Sequence, residues 1–587
     1  MPPPTPHNAP SSPATRPMAM AIRMSFTDGE ETFRSGNSTA KNSGCDSRWR
    51  EGWKAVILAA TKNMKIAVSI VLLGLSFALP AFGPPAALTA LWPAVCALTL
   101  IILTRHAALG LAGGLAAGAL LIHHGDPAGA LRAVFADYIF PALDGSWHVG
   151  AIVFTLILGS FAGLLEKSGG FDTLLTRLVA NAKDPQRRML GGVYLIGLLC
   201  FFDGLANSLL VGRIARPLAD RTGVSRERLA WVVDSTSSPV ACVAFVSTWI
   251  ATQLSLIGDG LKGAPFPVEP YSLFFQSIPA NPYCLLTLIL VPLAIFLNYQ
   301  PRAMSRYLPC EPEKEDQVNR PATAPVRVIV PLVALVLGIF AAFPLLSDPI
   351  PDVFSVAGWQ TAFGGDSGPY ALVAGSLLGL AVAWAMYPKG RSVSANEAAY
   401  HGAASLLPTL IILVFAWALG NVFTDLGAGE QLAKLLSTGF RVEWLPLAVF
   451  VAGLLMSFTT GSSWGTMGLL MPLALPATLA AATSAGMPVA EMIPLTAAVI
   501  GAVFGGATFG DHCSPFSDTT IVSAIASGCR TTAHVHSQLP FAGMAAGFAA
   551  LSYSLIAVGL AAVFATLIAA ALMCVTVKFL ARRVRAS

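Results

Sequence analysis

Between Trp444 and Ala490 the chain carries no Asp, Glu, Lys or Arg. One α-helix needs about 20 apolar residues to cross a hydrocarbon core of about 30 Å, so this run is about twice too long for one pass. Similar runs recur at about 66–82, 85–104, 107–122, 150–166, 189–212, 229–257, 282–299, 326–347, 369–387, 402–422, 446–480, 491–527, 540–557 and 558–578. Charged residues make up 11% of the chain, where soluble domains have about 25%. The runs are continuous rather than alternating, which points to helices and away from a β-barrel. The composition therefore predicts an all-α polytopic membrane protein with about 11–12 transmembrane helices.

The net charge of +5 does not indicate a nucleic-acid partner, because the basic residues gather in short loops beside apolar segments, as cytoplasmic loops do. One cluster holds Arg177, Lys183, Arg187 and Arg188, the next Arg213, Arg216, Arg221, Arg226 and Arg228, and a third Arg302, Arg306, Lys314, Arg320 and Arg327. Lys389 and Arg391 follow, and the tail holds Lys578, Arg582, Arg583 and Arg585. All of these share one side only if 189–212 enters and leaves on that side, as a re-entrant hairpin. The run at 446–480, with Thr459, Thr460, Gly461, Ser462, Ser463 and Gly465 at its middle, is expected to be a second hairpin opening from the opposite side. Nine cysteines show no C-x-x-C spacing, so neither a disulfide framework nor a zinc module is indicated. His534 and His536 have no neighbours in sequence that would complete a metal site.

An internal repeat accompanies the hairpins. FTLILGSFAGLLEKSGGFDTLLTRL at 154–178 resembles LIILVFAWALGNVFTDLGAGEQLAKLL at 410–436, pairing Gly169 with Gly427 and Asp172 with Glu430. Gly204 in FFDGLANS meets Gly461 in FTTGSSWG, and Ser238-Pro239 answers Ser514-Pro515. The loop charges run 150–166 inward and 402–422 outward, so the copies are inverted. Inverted repeats with interrupted helices point to a secondary transporter with a site near the bilayer midplane.

Polar residues interrupt the apolar runs at four places: Asp203-Gly204 with Asn207, then 234–239, 459–466 and 510–520. An Asp at the centre of a membrane helix costs about 2.5–3.5 kcal/mol, so Asp203, Asp234, Asp511 and Asp518 are read as functional. Proline and glycine free backbone carbonyls there, and hydroxyls and carboxylates complete the oxygen donors that hard cations prefer. A buried aspartate that holds either a proton or a sodium ion suffices for exchange between them. For the hydroxyls the alternative is a tie between kinked helices. His512 is expected either to sense pH or to donate a hydrogen bond that holds Asp511. Glu166, Asp172, Asp425, Glu430 and Glu491 fall at segment ends and are read as structural. Asp511, His512 and Ser514 lie too close along the chain for a catalytic triad, so no enzyme is expected.

GDHCSPFSDTT, preceded by GSSWGT, resembles the NhaC-type Na+/H+ antiporters of the ion transporter superfamily, with DSTSSPV and FFDGLANS as the matching elements of the first repeat. The resemblance covers about residues 85–580. It implies an elevator-like carrier of two inverted repeats, with broken helices and two re-entrant hairpins, exchanging cytoplasmic Na+ for external H+. The family also includes exchangers and symporters of organic acids and amino acids, which is the alternative function. On the leading reading sodium is held at Asp511, Asp518 and Asp234. Asp203, Asn207, Ser235, Ser237, Ser238, Thr460, Ser462, Ser463, His512, Ser514 and Thr519 complete the expected ion or substrate site. No cofactor is expected beyond the transported Na+ and H+, no nucleic acid, and no partner other than lipid and the small cation, with a homodimer left open. The expected location is a bacterial plasma membrane. The expected divisions are a disordered extension at 1–63, N-terminal helices at 64–148, the first repeat at 149–299, a cytoplasmic linker at 300–325, connecting helices at 326–400, the second repeat at 401–530, and C-terminal helices with a basic tail at 531–587. Whether 64–84 is a helix or a signal sequence stays open at this point.

Overall fold

The computed structural model describes residues 67–586 apart from 73, 83–84, 180–182, 311–322, 349, 356–357, 360–361, 363–366 and 438–440. The N-terminal extension and 311–322 of the linker thus lie outside the described residues. Among the described residues there is no strand. Ten helices there are long and apolar enough to cross a membrane, or up to 12 if each of two bent pairs is one span. The described part of 67–82 is helical and ends in a 3-10 turn, Leu79–Phe82.

Helices α1 (Ala86–Thr104) and α2 (Ala107–Ile122) pack together across a two-residue turn in which Arg105 is left-handed, at φ 59°. The first repeat begins with α3 (Ser146–Ser168) and α4 (Gly170–Val179). A hairpin of α5 (Pro185–Leu199) and α6 (Gly204–Thr222) follows. Asp184 caps α5 by accepting from Arg187 N at 3.1 Å, ahead of Pro185, so one loose amide of the first limb is satisfied and another is absent. The next path is α7 (Arg226–Ser235), α8 (Ser238–Val243) and α9 (Thr248–Gly260), bent by 41° before α9. Helices α10 (Pro270–Ser277) and α11 (Pro282–Leu297) form a second bent pair, at 47°. The connecting helices are α12 (Val326–Leu346) and α13 (Gly368–Ala385).

After α14 (Ala395–Ala404) the same order recurs: the long α15 (Leu407–Asp425), the ten-residue α16 (Ala428–Ser437), a hairpin of α17 (Leu445–Thr460) and α18 (Ser463–Ser484), and a broken path of α19 (Val489–Cys513) and α20 (Asp518–Ser527). Helices α21 (Thr531–Ala557) and α22 (Ala562–Ala586) finish the chain. The paired glycines of the repeat serve one purpose. Gly169 at φ 74° and Gly427 at φ 62° each turn a long helix into a ten-residue amphipathic one, a backbone conformation that costs glycine nothing.

The repeat differs from its sequence reading in one respect. The four-residue break at 514–517 matches, by its place between helix halves, the break at 244–247 and not Ser238-Pro239. Each of these breaks ends on the serine before the far half, Ser247 or Ser517. The 244–247 segment has neither proline nor charge, and tertiary contacts hold it open. Tyr271 Oη donates to Phe245 O at 2.6 Å, and Thr248 N donates to Phe202 O at 2.8 Å. The two hairpins are laid reciprocally on these paths. Limb α6 packs along α20, with Gly212 against Ala526, and limb α18 packs along α9, with Gly260 against Leu475. Each hairpin thus lies on the far half of the other repeat's broken helix.

Small residues bring the frame helices together, as they do where lipid removes the hydrophobic drive between helices. A Cβ on Gly163 of α3 would strike Ala398 O of α14, and one on Gly402 of α14 would strike Gly159 O. Gly402→Val is therefore expected to destabilise the protein by about 1–3 kcal/mol or more, read as a lower unfolding temperature in detergent. An unchanged temperature would mean that this seam is not close-packed.

Candidate functional site

Hairpin tips and helix breaks converge. At the first tip Asp203 caps α6, accepting from Ala206 N at 2.6 Å, and takes a second bond from Thr248 Oγ1 at 2.9 Å. At the second tip Ser462 holds the same place, capping α18 by accepting from Gly465 N at 3.0 Å. Gly461, at φ 69°, lies directly against Phe516 in the second break, where a side chain would collide. Trp464 of the second tip packs on Trp249 beside the first repeat's break, with ring centroids 5.6 Å apart.

Asp511 sits at the centre of this region, in the last turn of α19, and is 5% exposed. Ser517 Oγ donates to its Oδ1 at 2.7 Å, and Ser238 Oγ, from the first repeat, donates to its Oδ2. Its main-chain oxygen accepts from Thr519 Oγ1 at 2.9 Å and Thr520 Oγ1 at 2.8 Å. One carboxylate and hydroxyls from both repeats are thus gathered at a place where the helix is interrupted. Of the expected site residues, Ser238, Asp511 and Thr519 meet here.

His512 does not hold Asp511. Its Nε2 faces Ser235 Oγ at 2.8 Å and its Nδ1 faces Tyr283 Oη at 2.7 Å, so the imidazole ties α19 to α7 and α11. Ser514 Oγ donates to Phe458 O at 2.8 Å, fastening the second hairpin to the break. Asp511, His512 and Ser514 therefore make three separate sets of bonds and form no relay.

Asp234 also departs from expectation. Its carboxylate takes Ser523 Oγ at 3.2 Å on Oδ1, and Thr520 Oγ1 at 3.2 Å, Gln538 Nε2 at 2.8 Å and His534 Nε2 at 3.1 Å on Oδ2. Four partners already engage these oxygens, which argues against Asp234 as a place for sodium. Asp518, the first residue of α20, is exposed, and so are Arg105 and His106 of the α1–α2 turn. The Arg105 guanidinium lies 3.6 Å over the Phe516 ring.

The remaining expected residues hold backbone. Asn207 Nδ2 donates to Gly197 O at 2.9 Å and Thr236 O at 2.6 Å, and Ser237 Oγ donates to Gly204 O at 2.8 Å, so the first hairpin is sewn to the α7–α8 break. Thr460 Oγ1 donates to Met456 O at 2.8 Å within its own helix, and Ser463 is buried in the first turn of α18. The expected site set left out Ser517 and Thr520, although both lie in the 510–520 interruption, and also Ser523, Tyr283, Thr248, His534 and Gln538. One signal was available for the last two, because a spacing of four puts His534 and Gln538 on one face of a helix.

Residues 240–558 match the Na+/H+ antiporter family. The chain belongs to the Na+/H+ antiporter family. The matched region takes in the Asp511 break, the second hairpin and α21, while Asp234, Ser238 and the first hairpin precede it. Among relatives of this antiporter family member, an uncharacterized protein of Haemophilus influenzae (strain ATCC 51907 / DSM 11121 / KW20 / Rd) is 30% identical over 484 residues, 79% of this chain and 90% of that one. The malate-2H(+)/Na(+)-lactate antiporter of Bacillus subtilis (strain 168) is 34% identical over 149 residues, 24% of this chain and 28% of that one. Among solved structures, the YdaH transporter of Alcanivorax borkumensis aligns at a TM-score of 0.48 with 17% identity, over 74% of this chain and 90% of that one.

The His512 ties give a test. Ser235→Ala and Tyr283→Phe each leave a buried ring nitrogen without its partner, so each is expected to cost about 1–3 kcal/mol. The double substitution should cost less than the sum, since both partners hold the same ring. Thermal unfolding of the purified variants measures this, and full additivity would show that the two bonds act independently.

Proposed function

We propose that this secondary transporter, set in a bacterial plasma membrane, exchanges Na+ for H+ by alternating access, with Asp511 as the carrier carboxylate. The observation that carries the reading is the gathering of Asp511, Ser238 and Ser517 from both repeats at a helix break. Without cargo, the two serine hydroxyls donate to the carboxylate. A hydroxyl that rotates presents a lone pair instead, so the same atoms become oxygen ligands for sodium. A proton placed on the carboxylate removes its charge and with it the attraction for the cation. Proton and sodium thus compete for one site, and net exchange follows when the site opens to each side in turn. Asp518 and Thr519 stand next to this set, while Asp203 serves as a helix cap.

A second reading is Na+- or H+-coupled transport of a small organic acid or amino acid. Two observations favour it: the Bacillus relative is named for malate, lactate, protons and sodium, and Arg105 stands over Phe516 at the break. The sequence offers no membrane-embedded arginine as a carboxylate clamp, since Arg213 and Arg216 fall at the cytoplasmic edge.

Everted vesicles from cells lacking their own antiporters, followed with a pH-sensitive dye, test the assignment. Addition of Na+ alone is expected to collapse the proton gradient with the native protein. Asp511→Asn is expected to remove the response, and Ser517→Ala to weaken sodium affinity about ten- to hundredfold, the worth of one bond to a charged group. A response only after an organic acid is supplied would favour the second reading. Unchanged transport in Asp511→Asn would exclude Asp511 as the carrier.

A further inference from the structure

Asp234 and His534 form a buried pair outside the sodium set. Both side chains are fully buried, at 0% exposure, and their contact is 3.1 Å long. The pair joins α7 of the first repeat to α21, which also pack through Trp231 stacked on Phe541 at 3.9 Å. A carboxylate taken this far from water is stable only when paired and hydrogen-bonded. Here Thr520, Ser523 and Gln538 add three donors. The far side of the imidazole is different. Among the described residues, His534 Nδ1 is buried with no hydrogen-bond partner, and so is Gln538 Oε1. A bare ring nitrogen is tolerable as a lone pair and costly as an N–H donor, so this geometry suits a neutral imidazole donating from Nε2 to an ionised Asp234. One proton can still be taken up by the pair, on the imidazole, and would cancel its net negative charge.

Thr520 connects this pair to the transport site. Its single hydroxyl proton has two acceptors in reach, Asp234 Oδ2 at 3.2 Å and the main-chain oxygen of Asp511 at 2.8 Å, and serves one at a time. Ser523 has the same choice between Asp234 Oδ1 at 3.2 Å and Ser208 Oγ of the first hairpin at 3.0 Å. The other titratable groups around the pair are Asp511, His512 and Cys513 from α19, Tyr283 from α11, and Glu227 from α7 itself. Arg226 on the same helix is committed to Asp220 at 3.0 and 3.2 Å.

We infer that the Asp234–His534 pair binds an exchangeable proton at a site separate from the sodium site, and that Thr520 transmits its occupancy to Asp511. While the pair is anionic it draws the Thr520 hydroxyl and leaves the Asp511 carbonyl free, next to an added negative charge that favours the cation. Once a proton arrives, the pair is neutral, the Thr520 hydroxyl turns to the Asp511 carbonyl, and sodium is held less firmly. Two protons therefore oppose one sodium ion, one at Asp511 and one at the pair. This inference rests on the reading that Asp511 carries sodium.

Binding of radioactive sodium to the purified full-length protein across a pH series tests it. Where both sites titrate, sodium affinity is expected to fall more than tenfold, and at most about a hundredfold, per unit of decreasing pH, because sodium then displaces the proton at Asp511 and part or all of the one at the pair. In His534→Gln, which keeps a side-chain donor for Asp234 but cannot titrate, the fall should be about tenfold per unit. Native protein that never exceeds about tenfold per unit overturns the inference, and that measurement decides the matter even if His534→Gln does not fold. A His534→Gln protein that keeps the native steepness overturns it as well. A sodium affinity independent of pH, or no sodium binding at all, instead removes the Asp511 reading and takes this inference with it.

Discussion

A peptide backbone that leaves its helix within a bilayer has no water to bond with, and each group it exposes costs several kcal/mol unless the protein supplies a partner. This chain leaves its helices at two tips and in three breaks along the two broken paths, so its polar side chains are largely spent on backbone. Ser237 serves Gly204, Asn207 serves Gly197 and Thr236, Ser514 serves Phe458, and Tyr271 serves Phe245. These bonds fix where the tips stop, and the tips in turn fix where an uncommitted carboxylate can stand.

Three buried aspartates illustrate how surroundings assign roles to one side chain. Asp203 is a helix cap with a single hydroxyl added. Asp234 is enclosed by four side chains from α20 and α21. The Asp511 carboxylate meets only hydroxyls, those of Ser238 and Ser517. Insertion cost alone treats the three as equal, and only their partners separate them.

The all-helical membrane fold, the two hairpins and the order of the repeat were legible because each leaves a mark on composition: long uncharged runs, basic loops, and a glycine where a long helix turns into an amphipathic one. Asp511 and Ser238 were legible because charge and hydroxyls are costly in an apolar run. The 244–247 break was not, since Ala244-Phe245-Val246 reads as ordinary apolar helix and opens only through Tyr271 and Thr248. His534 was read against its sequence neighbour His536, whereas a helix presents it with Gln538. The turn at Arg105 was out of reach too, because nothing local says that α1 and α2 set it over Phe516.

The bond from Ser238 to Asp511 crosses from one repeat to the other, and so do those from Ser235 to His512 and from Thr520 and Ser523 to Asp234. A mechanism that prised the two halves apart to release the ion would have to break all of them together in an apolar interior. On the proposed transport reading, the interlocked hairpins and broken helices are better suited to travel as one block, with the cargo enclosed and the seam between the halves intact. On that reading α11 and α21 travel with the block, because Tyr283, His534 and Gln538 bond into it, and motion falls on the boundary with the helices beyond them.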